Sequence, residues 1–257
     1  MVKQYAGYLI DLDGTVYFGN HRIKTAEAFI HQLLKKNIPF LIVTNNATRT
    51  PQEVAQKLKD HYGLDLKADH IYASSLAMVD YLVEHHPNQS VFVVGEPSFK
   101  QILTQAGIQI VDTSDAQVVV QALDRQVTYQ QLAKAATAIR NGATFLVTNR
   151  DRAIPTEKGM MPSSGALTAF LSYTTGVEPL VMGKPNSPIL EGALKRLGLN
   201  KDEVLVIGDN YETDITLGIQ AGIDSLLVLT GVTSPEQAKY LQPQPRYILN
   251  DLSEWQL

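Results

Sequence analysis

Short apolar runs alternate with stretches of helical spacing from one end of the chain to the other. That alternation restricts the fold to an α/β class: a parallel sheet covered by helices. The runs fall at residues 5–10, 39–43, 71–73, 91–94, 118–122, 144–148, 180–182, 204–207 and 225–229. Between the first two, Ala26, Phe29, Ile30, Leu33 and Leu34 recur as one face of a helix over 24–36. Thr50-Pro51-Gln52-Glu53 reads as a capping box with Pro in the first turn, opening a helix that Gly63 stops. Further helices are expected from Ser74 or Ser75 and over 98–106, 128–141, 166–175 and 188–197. Residues 16–23 read as a small hairpin around Gly19-Asn20, projecting over whatever lies at the end of the first strand. A polar stretch at 85–90 has the look of a linker, and a second alternating set begins at Val91.

The first run delivers Asp11 and Asp13, then Gly14-Thr15. A buried parallel strand presents its carboxyl end at the edge where open α/β sheets bind ligands. A carboxylate at that edge can act as a nucleophile and be transiently phosphorylated, while a second, two residues on, moves protons. Gly14 permits a tight turn so that peptide N–H groups approach a phosphate, and Thr15 offers a hydroxyl to a neighbouring carboxyl group. Taken alone, Asp-Leu-Asp-Gly also fits an ordinary loop or a calcium-like turn.

The same logic returns at 204–215, where an apolar strand ends in Gly208-Asp209 and Asp214 follows at the start of a helix. Hard oxygen donors with no His or Cys nearby favour Mg²⁺; the plainer alternative is a turn residue and a helix cap. Lys184 follows another short strand in Met182-Gly183-Lys184-Pro185, where Gly and Pro fix the backbone and an ammonium could offset repulsion between carboxylates and a phosphate dianion. Thr44 ends the second strand and can donate its hydroxyl to a phosphate oxygen, with the Asn45 N–H beside it.

Four separated strand ends thus serve one chemistry, and their order closely resembles the haloacid-dehalogenase-like phosphatase superfamily over essentially the whole chain. Thr148-Asn149-Arg150-Asp151 and the segment 155–165 between the threonine and lysine motifs are similar to its NagD-type branch, which includes sugar-phosphate, nucleotide and para-nitrophenyl-phosphate phosphatases. Members of that branch usually carry Pro-Gly-x-Gly where this chain has Pro162-Ser163-Ser164-Gly165. The resemblance implies a Rossmann-like core of residues 1–86 and 181–257 with an inserted α/β cap of 87–180. It implies Asp11 as the nucleophile and Asp13 as the acid and then base. Mg²⁺ would be held by the Asp11 carboxylate, the Asp13 carbonyl and Asp209, with Asp214 close by. Phosphate would be met by Asp11, Asp13, Gly14, Thr44, Asn45 and Lys184. The leaving group would be read in the cap by Asn149, Arg150, Asp151 and Met161; for the triplet, capping a turn is the alternative. The same aspartyl-phosphate could pass to a sugar hydroxyl, making a phosphomutase or phosphotransferase, and a phosphometabolite-binding protein without turnover is a third reading.

Composition narrows the partners. A formal net charge of −4 and no dense Lys/Arg run leave no basic footprint for nucleic acid. The absence of cysteine excludes a cysteine phosphatase. No apolar leader precedes the first strand and no later stretch approaches the ~18 residues of a membrane span. The expectation is a cytoplasmic enzyme acting on a small phosphorylated metabolite; a homo-oligomer is compatible with the sequence.

Overall fold

A computed structural model describes residues 3–156 and 159–257. The chain forms two compact units: one comprises residues up to Thr44, Pro51–Tyr72 and Lys184–Leu257; the other comprises Asn45–Thr50 and Ala73–Gly183.

The first unit is built on a six-stranded sheet in the order Tyr247–Leu249, Ser225–Val228, Val204–Gly208, Gly7–Ile10, Phe40–Thr44, Ile71–Ala73. Gly7–Ile10 runs parallel to both neighbours, with Ile10 opposite Ile207 on one side and Ile42 on the other. These central strands are buried along their whole length, as a sheet covered on both faces requires, and their apolar residues leave no alternating polar face. The chain steps outward from Gly7–Ile10 to Phe40–Thr44 and then returns on the other side at Val204–Gly208. That reversal is the switch point at which ligands bind beyond the carboxyl ends of the strands.

Packing explains the flanking elements. Helix Lys24–Lys36 buries Ala26, Phe29, Ile30 and Leu33 against the sheet, each large side chain contributing about 1.5–3 kcal/mol of transfer free energy. It ends where Asn37 turns left-handed and donates its N–H to Leu33 and Leu34 carbonyls. The expected hairpin is present as Tyr17–Phe18 against His21–Arg22. Arg22 ties it down: its guanidinium donates to both Glu27 oxygens, at 2.8 and 2.7 Å, and to the Tyr62 carbonyl at 3.0 Å. Tyr62 is the last residue of helix Pro51–Tyr62.

The second unit holds a five-stranded parallel sheet in the order Leu180–Val181, Thr144–Val147, Val118–Gln121, Val91–Val94, Ile110–Val111. Phe92, Val94, Val119, Leu132, Phe145, Val147 and Leu171 form its core. Helix Ser74–His85 belongs to this unit, so the compact division falls at 72/73 and 183/184, where the sequence suggests 86/87 and 180/181. The stretch after Asp151, where the sequence marks no strand, pairs Ala153–Thr156 antiparallel with Gly159–Pro162. Glu157 and Lys158, within the 155–165 motif, lie outside the described residues. Among the described residues, no helix is long and apolar enough to cross a membrane.

Candidate active site

The two central strands end side by side, and each ends in an acid. The Asp11 N–H donates to the Ile207 carbonyl at 2.8 Å, carrying the ladder one residue past the strand, while Asp209 follows Gly208 on the partner strand. Asp214 reaches the same place from a π-helical turn, Tyr211–Ile215, the kind of local widening that re-aims side chains at functional sites. The buried Lys184 ammonium donates to Asp11 Oδ1 at 2.5 Å and to the Val43 carbonyl at 2.8 Å, and pairs with Asp214 Oδ1 at 2.8 Å. A carboxylate oxygen from each of Asp11, Asp209 and Asp214 lies within 4.8 Å of the others.

Close packing at this edge needs glycine. Gly14 has φ of +105°, and a Cβ there would collide with the Asp209 carboxylate; a Cβ at Gly208 would collide with Asp214. Asp209 Oδ1 accepts from Thr15 Oγ1 at 3.0 Å and Oδ2 from the Val232 N–H at 2.7 Å. The carboxyl group that Thr15 serves is therefore 194 residues away in sequence. Asp13 is exposed at the mouth of the turn, whose base is closed by the Gly14 N–H on the Tyr17 carbonyl at 2.6 Å.

Charge is strongly unbalanced here. Three carboxylates face one ammonium, which leaves two negative charges uncompensated in a buried setting. Burial, then the Asp214 carboxylate, push the Asp11 carboxyl well above the usual range, against the pull of Lys184. Burial and Asp214 likewise raise Asp209 to about 6, despite the hydrogen bonds from Val232 and Thr15. Burial disfavours the charge on Lys184, yet Asp11 and Asp214 hold its ammonium protonated well above the ordinary lysine range. An all-oxygen donor set with a surplus of two charges fits a small hard dication such as Mg²⁺. Each Asp209 oxygen still has a lone pair free to share with such an ion, since a carboxylate accepts at about four sites.

Thr44 is buried at the end of Phe40–Thr44, the strand beside Gly7–Ile10. Asn45 begins the short segment belonging to the other unit. Its amide donates to Asp151 Oδ1 at 3.2 Å, and its carbonyl accepts from Asn149 Nδ2 at 2.8 Å and Ser74 Oγ at 2.7 Å. The Asp151 N–H in turn donates to Asn149 Oδ1 at 3.1 Å. Arg150 is exposed and pairs with Glu178 at 2.9 Å. Met161 stands 45% exposed on Gly159–Pro162. Gly165, the one glycine of Pro162-Ser163-Ser164-Gly165, is required because a Cβ there would strike the Arg150 carbonyl. Ser163 has extended backbone at φ −106°, so no glycine is needed at that position.

Residues 230–233 were not anticipated. Besides Val232, Thr233 donates its N–H to the Asp209 carbonyl at 3.0 Å and Thr230 its hydroxyl to the Gly14 carbonyl at 2.7 Å. The signal was present as an apolar run ending in Thr230-Gly231, the same strand-then-glycine pattern as at 208.

A parallel sheet whose adjacent strand ends present Asp11, Thr44 and Asp209, with a lysine and a further acid added from later loops, is the arrangement of the haloacid dehalogenase-like hydrolases. The chain belongs to that family. Residues 8–109 match the model of haloacid dehalogenase-like hydrolases and residues 181–255 that of HAD-hydrolase-like proteins. The chain is 45% identical over 253 residues to the acid sugar phosphatase of Staphylococcus aureus strain USA300, spanning 98% of this chain and 97% of that one. A thermostable NPPase of Geobacillus stearothermophilus, solved as a double mutant, superposes with a TM-score of 0.91 at 45% identity and 99% coverage of both chains. The p-nitrophenyl phosphatase of Archaeoglobus fulgidus gives 0.91 at 32% identity and 97% coverage of both. The protein is an enzyme, a phosphatase of this family.

Proposed function

We propose that the enzyme hydrolyses small phosphate monoesters, sugar phosphates or nucleoside monophosphates, through an aspartyl-phosphate on Asp11 and with Mg²⁺ bound. The observation that carries this reading is the meeting of Asp11, Lys184, Asp209 and Asp214 in one buried cluster at the carboxyl edge of the sheet. Likeness to an acid sugar phosphatase supports the sugar-phosphate class in particular.

Asp11 attacks phosphorus with the oxygen that is not held by Lys184, and the leaving oxygen departs with a proton from Asp13. Asp13, now a carboxylate, takes a proton from the water that attacks the aspartyl-phosphate, returning Asp11 and releasing inorganic phosphate. Lys184 favours the ionised form of Asp11 and fixes its carboxylate, and the Thr44 hydroxyl donates to a phosphoryl oxygen. The Gly14 N–H, expected from the sequence to meet phosphate, is taken up by the Tyr17 carbonyl, which leaves the Asn45 N–H to complete the phosphate contacts. The Asp11 and Asp209 carboxylates and the Asp13 carbonyl would hold Mg²⁺, with Asp214 beside them. When bound, the ion neutralises charge on the phosphoryl oxygens and orients them. The second unit acts as the cap that reads the leaving group. Within it Met161 and Arg150 are the exposed candidates, while Asn149 and Asp151 hold Asn45.

Phosphate release from a panel of sugar phosphates, nucleoside monophosphates and pyridoxal phosphate tests this. We expect turnover with Mg²⁺, silence in EDTA, recovery on adding Mg²⁺, and little recovery with Ca²⁺, whose larger and looser coordination spoils the in-line geometry. Full activity in chelator removes the metal from the scheme. An isomerised sugar phosphate without free phosphate would make the enzyme a mutase. For Asp13→Asn, turnover of an alkyl phosphate should fall ~10²–10⁴-fold, whereas the first-turnover release of para-nitrophenolate, a leaving group that departs unprotonated, should lose far less. An unaffected alkyl phosphate rate would strip Asp13 of its role.

A further inference from the structure

The proton carrier of this scheme is exposed, and an exposed carboxylate wanders among rotamers unless something holds it. Tyr17 stands where it can do so. Asp13 and Tyr17 form a backbone bridge across the turn, which is closed at 2.6 Å by the Gly14 N–H on the Tyr17 carbonyl. The phenol hydrogen-bonds the Asp13 side chain, and Asp11 lies near enough for its charge to be felt there.

The ring itself is immobilised from two sides. It is 3% exposed and stacks on Tyr62 at 4.7 Å between centroids and 9° between planes. The Lys57 ammonium sits 4.0 Å from its centroid. Tyr62 is in turn fixed at the end of its helix, where its carbonyl accepts from Arg22 of the same hairpin. A hydroxyl on so rigid a ring sets direction as well as strength of the bond it donates.

We propose that Tyr17 is a positioning residue for Asp13: its hydroxyl pins one carboxyl oxygen and so aims the other at the leaving oxygen of the substrate. Helix Pro51–Tyr62, through Lys57 and Tyr62, is the rigid backing that makes this aim reproducible. The inference rests on the reading of Asp13 as proton carrier. A positioning role predicts a loss that grows with the need to protonate the leaving group, which a loosened fold would not produce.

The test compares an alkyl phosphate that the wild type turns over with para-nitrophenyl phosphate, using Tyr17→Phe, Asp13→Asn and the double variant. Phe keeps the ring stack and the cation contact and deletes only the hydroxyl. We expect single-turnover release of the alcohol from the alkyl phosphate to fall roughly 10- to 100-fold, single-turnover release of para-nitrophenolate to change less than about threefold, and the double variant to match Asp13→Asn alone. Lys57→Met, which leaves the hydroxyl in place, should shift the two substrates in the same unequal sense by a smaller factor. Equal losses on both substrates, or a further loss in the double variant, would overturn the role of Tyr17. If Asp13→Asn itself spares the alkyl phosphate, the failure lies with the proton-carrier reading and Tyr17 falls with it.

Discussion

Replacing Asp11 by Asn is expected to abolish phosphate release from every substrate, by ~10⁴-fold or more, while leaving the protein folded. The substitution changes two hydrogens' worth of shape and all of the chemistry. An amide oxygen can still accept from the Lys184 ammonium, so the contact now at 2.5 Å survives in kind. The same amide has no anionic oxygen with which to open an ester of phosphoric acid. Removing one of three crowded carboxylates also relieves repulsion that burial magnifies, so the melting temperature should hold or rise. Phosphate release in single-turnover and steady-state assays, beside a thermal melt, decides the matter. Residual activity above a few per cent of wild type in a folded variant would move the nucleophile elsewhere.

How far this site could be read from the chain alone follows from what kind of contact each residue makes. Asp11 and Asp209 were legible because each stands at the end of an apolar run, where a strand must stop and where the topology brings strand ends together. Lys184 was legible for its neighbours Gly183 and Pro185, which restrict the backbone that carries it. The contacts that hold those groups were not legible, because they join distant segments: Thr15 with Asp209, Val232 with Asp209, Asn149 with Asn45. The sequence assigns Asn149 and Asp151 to the substrate, yet their amide and carboxylate are engaged with Asn45, a contact that no spacing announces. The strands Ala153–Thr156 and Gly159–Pro162 were hidden by Pro155, Pro162 and Gly159, residue types that weaken a strand reading except in an isolated two-stranded ribbon. Tyr247–Leu249 is three half-buried residues at a sheet edge, too short to carry a pattern. The polar stretch at 85–90 signals solvent exposure, whereas the compact units divide where contacts thin, so helix Ser74–His85 goes with the second unit.

Asp209→Asn should silence the enzyme and yet make the cation-free protein more stable. In the folded chain the Asp209 carboxyl is raised to about 6, against about 3.9 when unfolded. A carboxyl that binds its proton more tightly in the folded state gives its full stability below the unfolded value and loses it as pH rises through the folded one. At pH 7 and above, the ionised Asp209 therefore costs roughly 3 kcal/mol, and asparagine resembles the protonated form that does not incur it. The hydrogen bonds survive the change: the amide oxygen can accept from the Val232 N–H, and the amide nitrogen can donate to the Thr15 hydroxyl, which rotates to accept. In EDTA at pH 7.5 the variant should melt roughly 5–10 °C above wild type, with the difference vanishing near pH 4. Mg²⁺ should raise the wild-type melting temperature by mass action and barely move that of the variant. A variant that melts lower than wild type in chelator, or that responds to Mg²⁺ as wild type does, would mean that Asp209 is a structural acceptor and does not hold the ion.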